Sequence, residues 1–385
     1  MNALPAVRRR VRASPAPREG RAAAARSAAA PDDYHDAMRG PAGEPSRRRL
    51  ATLGALAASV LLLSGCQGSP LELVPVPSEP GRPVTTTPPI SVSFAPLRGT
   101  MIEAPLGHPA LGVKIDNHEA ARPQIALNRS DIVFEELVEG GITRYLAVWH
   151  SDVPEEVGPV RSIRPMDPDI AAPFGGIIAY SGGQEHFVGM MMATELVNLV
   201  FDYDDSGLFH RADDRPGPHD VILAAQEAVA RYSELAPPPV QFAYGSADPL
   251  AAPALAATPT SSFDLAFSDA RFPGWEWDAA ASAWLRWQEG EPDLEASGER
   301  VRATNVVTLR VGIDWSFGEV PRTVMVGSGE AWVSAGGRTA HGTWSKDAPG
   351  SPIVLTADDG SRLRLAPGNT WVELVPNEGS VTFHP

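Results

Sequence analysis

Short apolar runs separated by turn residues make up most of the chain after Leu111. LGVKID over 111–116 and GIIAYSGG over 176–183 are typical of buried strands. Two longer apolar stretches, 184–200 and 220–235, have helical spacing, and Asp220 is a suitable N-cap for the second. The pattern therefore predicts mixed strands and helices up to about residue 235.

One stretch in this region, SDIVFEELVEGGITRYLAVWHS, predicts a β-hairpin. Residues 132–139 and 142–149 are rich in β-branched and aromatic residues, and Gly140 and Gly141 supply a two-residue turn. A capped helix is the competing interpretation. In the hairpin, we expect Glu139 to pair with Ile142.

This register has a consequence for the charged side chains of the hairpin. Glu135, Glu139 and Arg144 would lie on one face, with Arg144 diagonal to both carboxylates. An ion network across the two strands is therefore expected.

The pattern changes after a Pro- and Ala-rich stretch at 236–262. Beyond it the sequence is nearly all short strands and Gly-rich turns, which predicts a small β-sandwich or barrel. We therefore predict an α+β protein with a mixed α/β domain over 96–235, a linker over 236–262 and a β-rich domain over 263–385.

The charge of the chain limits its partners. Residues 1–65 contain 11 Arg and 5 acidic residues, whereas the remainder contains 42 acidic against 21 basic residues. Because residues 66–385 are strongly acidic, phosphate backbones would repel them. Nucleic-acid binding is therefore disfavoured.

The N-terminal segment predicts export and lipidation. Arg47-Arg48-Arg49 precede an apolar core of about fourteen residues, and Leu63-Ser64-Gly65-Cys66 resembles a bacterial lipobox. The apolar run is shorter than the roughly 20 residues of a membrane-spanning helix, which is the alternative. We expect Cys66, the single cysteine, to be acylated and to anchor the protein to the outer face of the plasma membrane.

The segments on either side of Cys66 have separate roles in this prediction. Residues 1–65 comprise the signal peptide and an upstream extension that is disordered or mis-started, since translation from Met38 would give a signal of ordinary length. Residues 66–95 are rich in Pro, Ser and Thr and form an extended tether.

Several motifs in order resemble the YerB-like family of bacterial lipoproteins. They are IDNHEAARPQIALNRSDIVFEELVEGGITRYLAV, GPVRSIRP and SGG, followed by NVV, VGSGEAWV, GTWSK and PGNTWVELVP. The resemblance implies a two-domain envelope lipoprotein, with an α/β domain before a β domain. It implies no established activity.

The candidate site residues are polar side chains at the ends of predicted strands, where open sheets bind ligands. They are Asp116, Asn117, His118, Arg122, Glu135, Glu139, Arg144, Arg161, Ser162, Arg164, Ser181 and His219. The arginines offer planar donor forks for carboxylate or phosphate. Our main hypothesis is therefore a polar cleft that binds a cell-envelope component: glycan, wall peptide or protein partner.

Two other interpretations of these residues remain open. In a cell-wall hydrolase, the acid–base residues would be Glu135, Glu139 and His118, although the expected ion pairs with Arg144 would keep both carboxylates ionised. In a structural scaffold, the same groups would hold loops together. No metal-binding spacing, P-loop or dinucleotide motif is present, so we expect neither metal nor cofactor, and catalysis is the less favoured alternative.

Aromatic residues of the β-rich half suggest a carbohydrate platform as a further alternative. Tryptophan more often fills the core of a small sandwich, and we favour that interpretation. The residues concerned are Trp275, Trp277, Trp284, Trp287, Trp344 and Trp371. His341 is expected in a turn.

Overall fold

Strands dominate the fold, and helices are few and short. The computed structural model describes residues 92–385. Ten strands precede residue 236: β1 Ser93–Phe94, β2 Met101–Ile102, β3 Leu111–Asp116, β4 Ile132–Leu137, β5 Thr143–Trp149, β6 Glu156–Val157, β7 Ile177–Tyr180, β8 Val197–Val200, β9 Phe209–Arg211 and β10 Val221–Ala224.

The second half of the chain is built from strands and loops. Its strands are β11 Thr258–Pro259, β12 Ser262–Ala266, β13 Pro273–Asp278, β14 Ala283–Gln288, β15 Glu291–Pro292, β16 Arg302–Ala303, β17 Asn305–Val311, β18 Ile313–Phe317, β19 Val320–Thr323, β20 Gly327–Ala335, β21 Arg338–Lys346, β22 Val354–Ala357, β23 Thr370–Pro376 and β24 Ser380–His384.

The α-helices of the described part all lie in the first half. They are α1 Asp167–Ala171, α2 Glu185–Met192 and α3 Ala225–Arg231. Within residues 92–385 no helix is long and apolar enough to cross a membrane. The predicted signal peptide, Cys66 and almost all of the tether lie outside the described residues.

Both halves of the chain contribute to one eleven-stranded sheet. Its order is β11-β21-β20-β17-β23-β4-β5-β3-β7-β8, with β22 beside β21. The halves meet where β23 pairs in parallel with β4, with Trp371 opposite Val133 and Glu373 opposite Glu135. The predicted linker also contributes to the fold, since Phe242 and Leu250 are buried.

A six-stranded sheet covers one face of the large sheet. Its order is β15-β14-β13-β12-β24, with β16 beside β14. Along β4, Val133 packs in the core between the two sheets, whereas Ile132 and Phe134 pack in the core on the opposite face. Successive side chains of a strand point to opposite faces, so β4 supplies both cores.

The hairpin prediction is confirmed, but its register is wrong by one residue. β4 and β5 are antiparallel, and Arg144 lies opposite Glu136. The predicted pairing of Glu139 with Ile142 would instead have placed Arg144 opposite Leu137. Gly140 and Gly141 both have positive φ, and the Val138 N–H donates to Ile142 O, so the turn contains three residues instead of two. A slip of one residue moves every side chain to the other face, so Arg144 and Glu135 lie on opposite faces of the sheet.

Both predicted helices are too long. The apolar residues Val197–Val200 form β8, parallel to β7, and α2 ends before them. Val221–Ala224 form β10, so α3 begins only at Ala225, and Asp220 binds Arg211 Nη1 at 2.6 Å. Sheet pairing determined the structure of these apolar runs, and their helical spacing did not.

Candidate functional site

Three strand ends bring distant polar residues together at one edge of the large sheet. β3 ends at Asp116, which pairs with Arg144 of the antiparallel β5. β7 runs parallel to β3, and Ser181 follows its last residue. The loop 158–166 crosses these ends, because the Arg161 N–H donates to Lys114 O and the Ser181 N–H donates to Arg161 O.

Asp116 is the centre of this arrangement and is almost fully buried. Its Oδ2 lies 2.6 Å from His219 Nδ1 and 3.1 Å from Arg161 Nε, and its Oδ1 accepts a hydrogen bond from the His118 N–H at 3.1 Å. The rings of His118 and His219 stack with centroids 4.6 Å apart. One carboxylate therefore orients two histidines and an arginine.

Arg144 lies close enough to interact with Asp116, Arg161 and Arg164, and we call Arg144, Arg161 and Arg164 the arginine cluster. Arg144 Nη1 donates to Ser162 O at 2.8 Å, and Arg164 Nε donates to Glu139 Oε2 at 2.6 Å. The Ser162 and Ser181 hydroxyls lie 3.2 Å apart beside them. The cluster and its neighbours include nine of the twelve candidates: Asp116, His118, Glu139, Arg144, Arg161, Ser162, Arg164, Ser181 and His219.

The arginine cluster is crowded with positive charge. Burial, together with the neighbouring charges of Arg164 and Arg161, lowers the pKa of Arg144 to about 9 against the opposing effect of Asp116. Arg144 Nε is buried and has no hydrogen-bond partner among residues 92–385. An additional anion would relieve both conditions.

A buried lysine, Lys114, lies beneath the cluster and is not among the candidates predicted from the sequence. Lys114 Nζ forms ion pairs with Glu136 and, at 2.9 Å, with Asp167. Burial lowers the pKa of Lys114 to about 8. The sequence did carry a signal for this residue, because a lysine inside the apolar run LGVKID is unusual and indicates a buried charge that needs a partner. This layer contains two carboxylates and one ammonium, so it carries a net negative charge beneath the arginines.

Two candidates, Glu135 and Asn117, lie on the other face of the sheet, inside a closed network. Glu135 Oε2 accepts from Arg286 Nη2 at 2.5 Å, and its Oε1 accepts from Thr143 Oγ1 at 2.6 Å. Asn117 Nδ2 donates to Thr143 Oγ1 at 2.9 Å, and both candidates are fully buried. The one-residue slip of the hairpin separates Glu135 from the arginine cluster.

Arg122 lies apart from the arginine cluster and forms a surface ion network. It contacts Glu119 and Glu289, each at 3.3 Å. Both carboxylates also contact Arg271 of the second half. Arg122 therefore takes part in contacts between the two halves of the chain.

The three proposed acid–base residues have unfavourable surroundings in this structure. Glu135 is enclosed with Arg286. Burial opposes ionisation of Glu139, but the hydrogen bond and charge of Arg164 outweigh it and lower the pKa of Glu139, so it is a poor general acid. His118 Nδ1 accepts a hydrogen bond from the Ala120 N–H. Within the described residues, no group of three His, Cys, Asp or Glu side chains is placed to hold a metal ion.

The tryptophans divide into two groups. Trp275, Trp284, Trp344 and Trp371 are buried in the core, whereas Trp277 and Trp287 are half-buried and line a groove on the six-stranded sheet. His341 lies within strand β21 and contacts Asp358 and Glu330, so its placement in a turn was wrong.

Fold and site together define a predominantly β protein with a polar cluster at its strand ends. Models of the "Protein of unknown function (DUF3048)" N-terminal and C-terminal domains match residues 98–236 and 263–372, and the chain belongs to this YerB-like family.

Two relatives support the assignment. The chain is 28% identical over 301 residues to "Putative lipoprotein YerB" of Bacillus subtilis (strain 168), covering 74% of this chain and 86% of the relative. The crystal structure of the YerB protein from Bacillus subtilis aligns with a TM-score of 0.65 at 24% identity, over 75% of this chain and 99% of the other. At that identity the structural likeness is evidence on the fold alone.

Proposed function

We propose that this protein is a lipid-anchored extracytoplasmic lipoprotein that binds an anionic component of the cell envelope through the arginine cluster. The lipobox-like segment ending at Cys66 supports the anchor, and so does the similarity to a relative named as a lipoprotein. The ligand class follows from the donors: guanidinium groups bind carboxylate and phosphate oxygens in forked pairs.

The convergence of three guanidinium groups on two carboxylates is the observation that carries this proposal. Asp116 contacts Arg161, and Glu139 contacts Arg164, whereas Arg144 forms its side-chain hydrogen bond with a backbone carbonyl. The chain as a whole has a net charge of −15, so a local excess of arginine is unusual for it. Perturbed ionisable groups collected at strand ends are typical of functional sites.

Arg161 is the residue to test first. Its side chain is about a fifth exposed, so it is accessible to a ligand, and it is less deeply packed than Arg144. Loss of one charge-assisted hydrogen bond typically costs about 1.5–3 kcal/mol, so Arg161→Ala should weaken binding at least tenfold.

Isolated peptidoglycan sacculi are the probe, and co-sedimentation of the purified full chain in detergent is the measurement. The control variant is Arg302→Ala, because the Arg302 side chain is half-exposed and, within residues 92–385, its ion pair is with Glu299 at 3.5 Å. Retained sacculus binding in the control and loss in Arg161→Ala would support the proposal. Equal binding by a well-folded Arg161→Ala protein would leave the cluster with a structural role.

A second candidate function, hydrolysis of the cell wall, has one specific observation in its favour. Buried Asp116 lies 2.6 Å from His219 Nδ1, which leaves His219 Nε2 as the acceptor when the ring is neutral. A carboxylate that orients a histidine is the arrangement of a general base. Incubation of the full chain with sacculi should then release soluble fragments, and His219→Ala should abolish the release. Binding without release would exclude this candidate.

A further inference from the structure

A groove of about 360 Å³ crosses the outer face of the six-stranded sheet. Gly274 of β13 forms its floor, between Asp264 of β12 and Trp287 of β14. A Cβ atom at position 274 would lie 3.2 Å from Asp264 Oδ1 and 3.9 Å from Trp287 Cβ. The missing side chain therefore keeps the groove open between a carboxylate and an indole ring. We call it the tryptophan groove.

The indole of Trp287 is held in place by polar neighbours. Its Nε1 donates to Glu276 Oε2 at 3.1 Å, and the Arg300 guanidinium lies 4.6 Å from the ring centroid. Arg300 is not among the residues that line the groove. The exposed ring of Phe272 adds a second apolar surface. A fixed aromatic ring offers a large contact area at low entropic cost.

The groove carries two exposed carboxylates, Asp264 and Glu276, beside the indole ring. Asp264 Oδ2 lies 2.8 Å from His384 Nε2, but Asp264 Oδ1 and Glu276 Oε1 have no hydrogen-bond donor within residues 92–385. Carboxylates only accept hydrogen bonds when ionised. A ligand with hydroxyl or amide donors beside an apolar face would therefore suit this groove.

We infer that the tryptophan groove binds a neutral oligosaccharide. A sugar ring has apolar C–H faces that stack on an indole, and its hydroxyl groups at the ring edge donate to carboxylates. Asp264 and Glu276 would repel an anionic ligand. The volume lies within the roughly 300–1,000 Å³ typical of small-molecule sites. This inference does not depend on the proposed function, because none of the arginine cluster lines the groove.

A printed array of neutral and acidic oligosaccharides, probed with the purified full chain in detergent, tests the inference. The wild-type protein should bind at least one neutral oligosaccharide, and Trp287→Ala should reduce its affinity at least tenfold. The matched control is Trp315→Ala, which removes an exposed indole of β18 outside the groove. Far-ultraviolet circular dichroism establishes that each variant is folded.

A second variant keeps the test decisive if Trp287→Ala fails to fold. Asp264→Asn is isosteric and should weaken binding about fivefold, because a charge-assisted hydrogen bond becomes a neutral one. Arg161→Ala should bind the neutral oligosaccharides of the array as the wild type does, which separates this inference from the proposed function. The inference is overturned if the wild type binds no neutral oligosaccharide, or if Trp315→Ala loses binding as much as the groove variants.

Discussion

Replacement of Arg286 by methionine should lower the free energy of unfolding by about 3–5 kcal/mol. Arg286 is fully buried in the closed network between the two sheets. It donates to Glu135 Oε2 at 2.5 Å and to the carboxylate of Asp293, and its guanidinium lies 5.1 Å from the ring centroid of Trp371. These partners come from β4 of the first half and from the second half, so Arg286 joins the two.

The size of the effect follows from what the substitution leaves behind. Methionine retains most of the apolar volume of arginine, but Glu135 and Asp293 keep their charges and lose their cation. Removal of one partner from a buried ion pair costs about 3–5 kcal/mol because the remaining charge is uncompensated. Since two carboxylates are affected here, we expect a value near the upper end of that range.

A triple variant separates uncompensated charge from lost packing. Arg286→Met combined with Glu135→Gln and Asp293→Asn has no stranded carboxylate from these residues, and replacement of a whole buried ionic group is often nearly neutral. It should therefore regain at least half of the stability that the single variant loses. Lost packing alone would give no recovery.

Equilibrium unfolding of the full chain in urea, followed by tryptophan fluorescence, measures these differences. Arg302→Met is the control, because Arg302 lies on the adjacent β16 and its surface ion pair should contribute less than about 1 kcal/mol. The reasoning is refuted if Arg286→Met loses no more stability than the control, or if the triple variant is as unstable as the single one.

Four further predictions address other parts of the molecule. Burial and the charge of Glu135 raise the pKa of Glu373 well above its ordinary 4.5. The folded protein therefore loses stability as pH rises above 4.5, because the carboxyl group of Glu373 ionises more readily in the unfolded chain. Glu373→Gln should gain stability relative to the wild type between pH 4.5 and 8, as urea titrations would measure. Gly140→Ala should lower the free energy of unfolding by about 1–2 kcal/mol, because Gly140 has a positive φ. Gly141→Ala should lower it more, because the new Cβ would also lie 3.0 Å from a side-chain oxygen. Thermal unfolding would detect the difference. A chain cut at a protease site inserted between residues 246 and 247 should elute from gel filtration as one species, because β23 pairs with β4. Cys66→Ala should move the protein from the membrane fraction to the soluble fraction, as immunoblotting of cell fractions would show.

The sequence predicts local features of the fold better than their exact pairing. The β-branched runs around Gly140 and Gly141 indicated the hairpin correctly, because strand propensity and a glycine turn are local signals. The number of residues in the turn depends on backbone angles that two adjacent glycines leave open. Consequently the strands were predicted and the faces of Glu135 and Arg144 were not.

Contacts distant in sequence explain the other differences. Val197–Val200 and Val221–Ala224 are apolar runs that suit a helix or a strand, and only their neighbours β7 and β9 decide between the two. Arg286, the partner of Glu135, lies 151 residues away, and no local pattern connects them. Strand ends, in contrast, collect at one edge of a sheet for topological reasons. The proximity of Asp116, Arg161 and Ser181 could therefore be predicted from their positions at the ends of predicted strands.

Arginine occurs in two different environments in this fold, and the number of available carboxylates distinguishes them. Arg286 contacts Glu135 and Asp293, and all three side chains are sealed from solvent, so no ligand can reach this guanidinium group and its role is to stabilise. In the arginine cluster three guanidinium groups share two carboxylates, and two of the three are partly exposed. Unsatisfied donors that solvent can reach cost little in the free protein and become favourable when an anion binds. Such a shortage of carboxylates is therefore the physical reason for assigning recognition to the strand-end cluster and structure to the buried network.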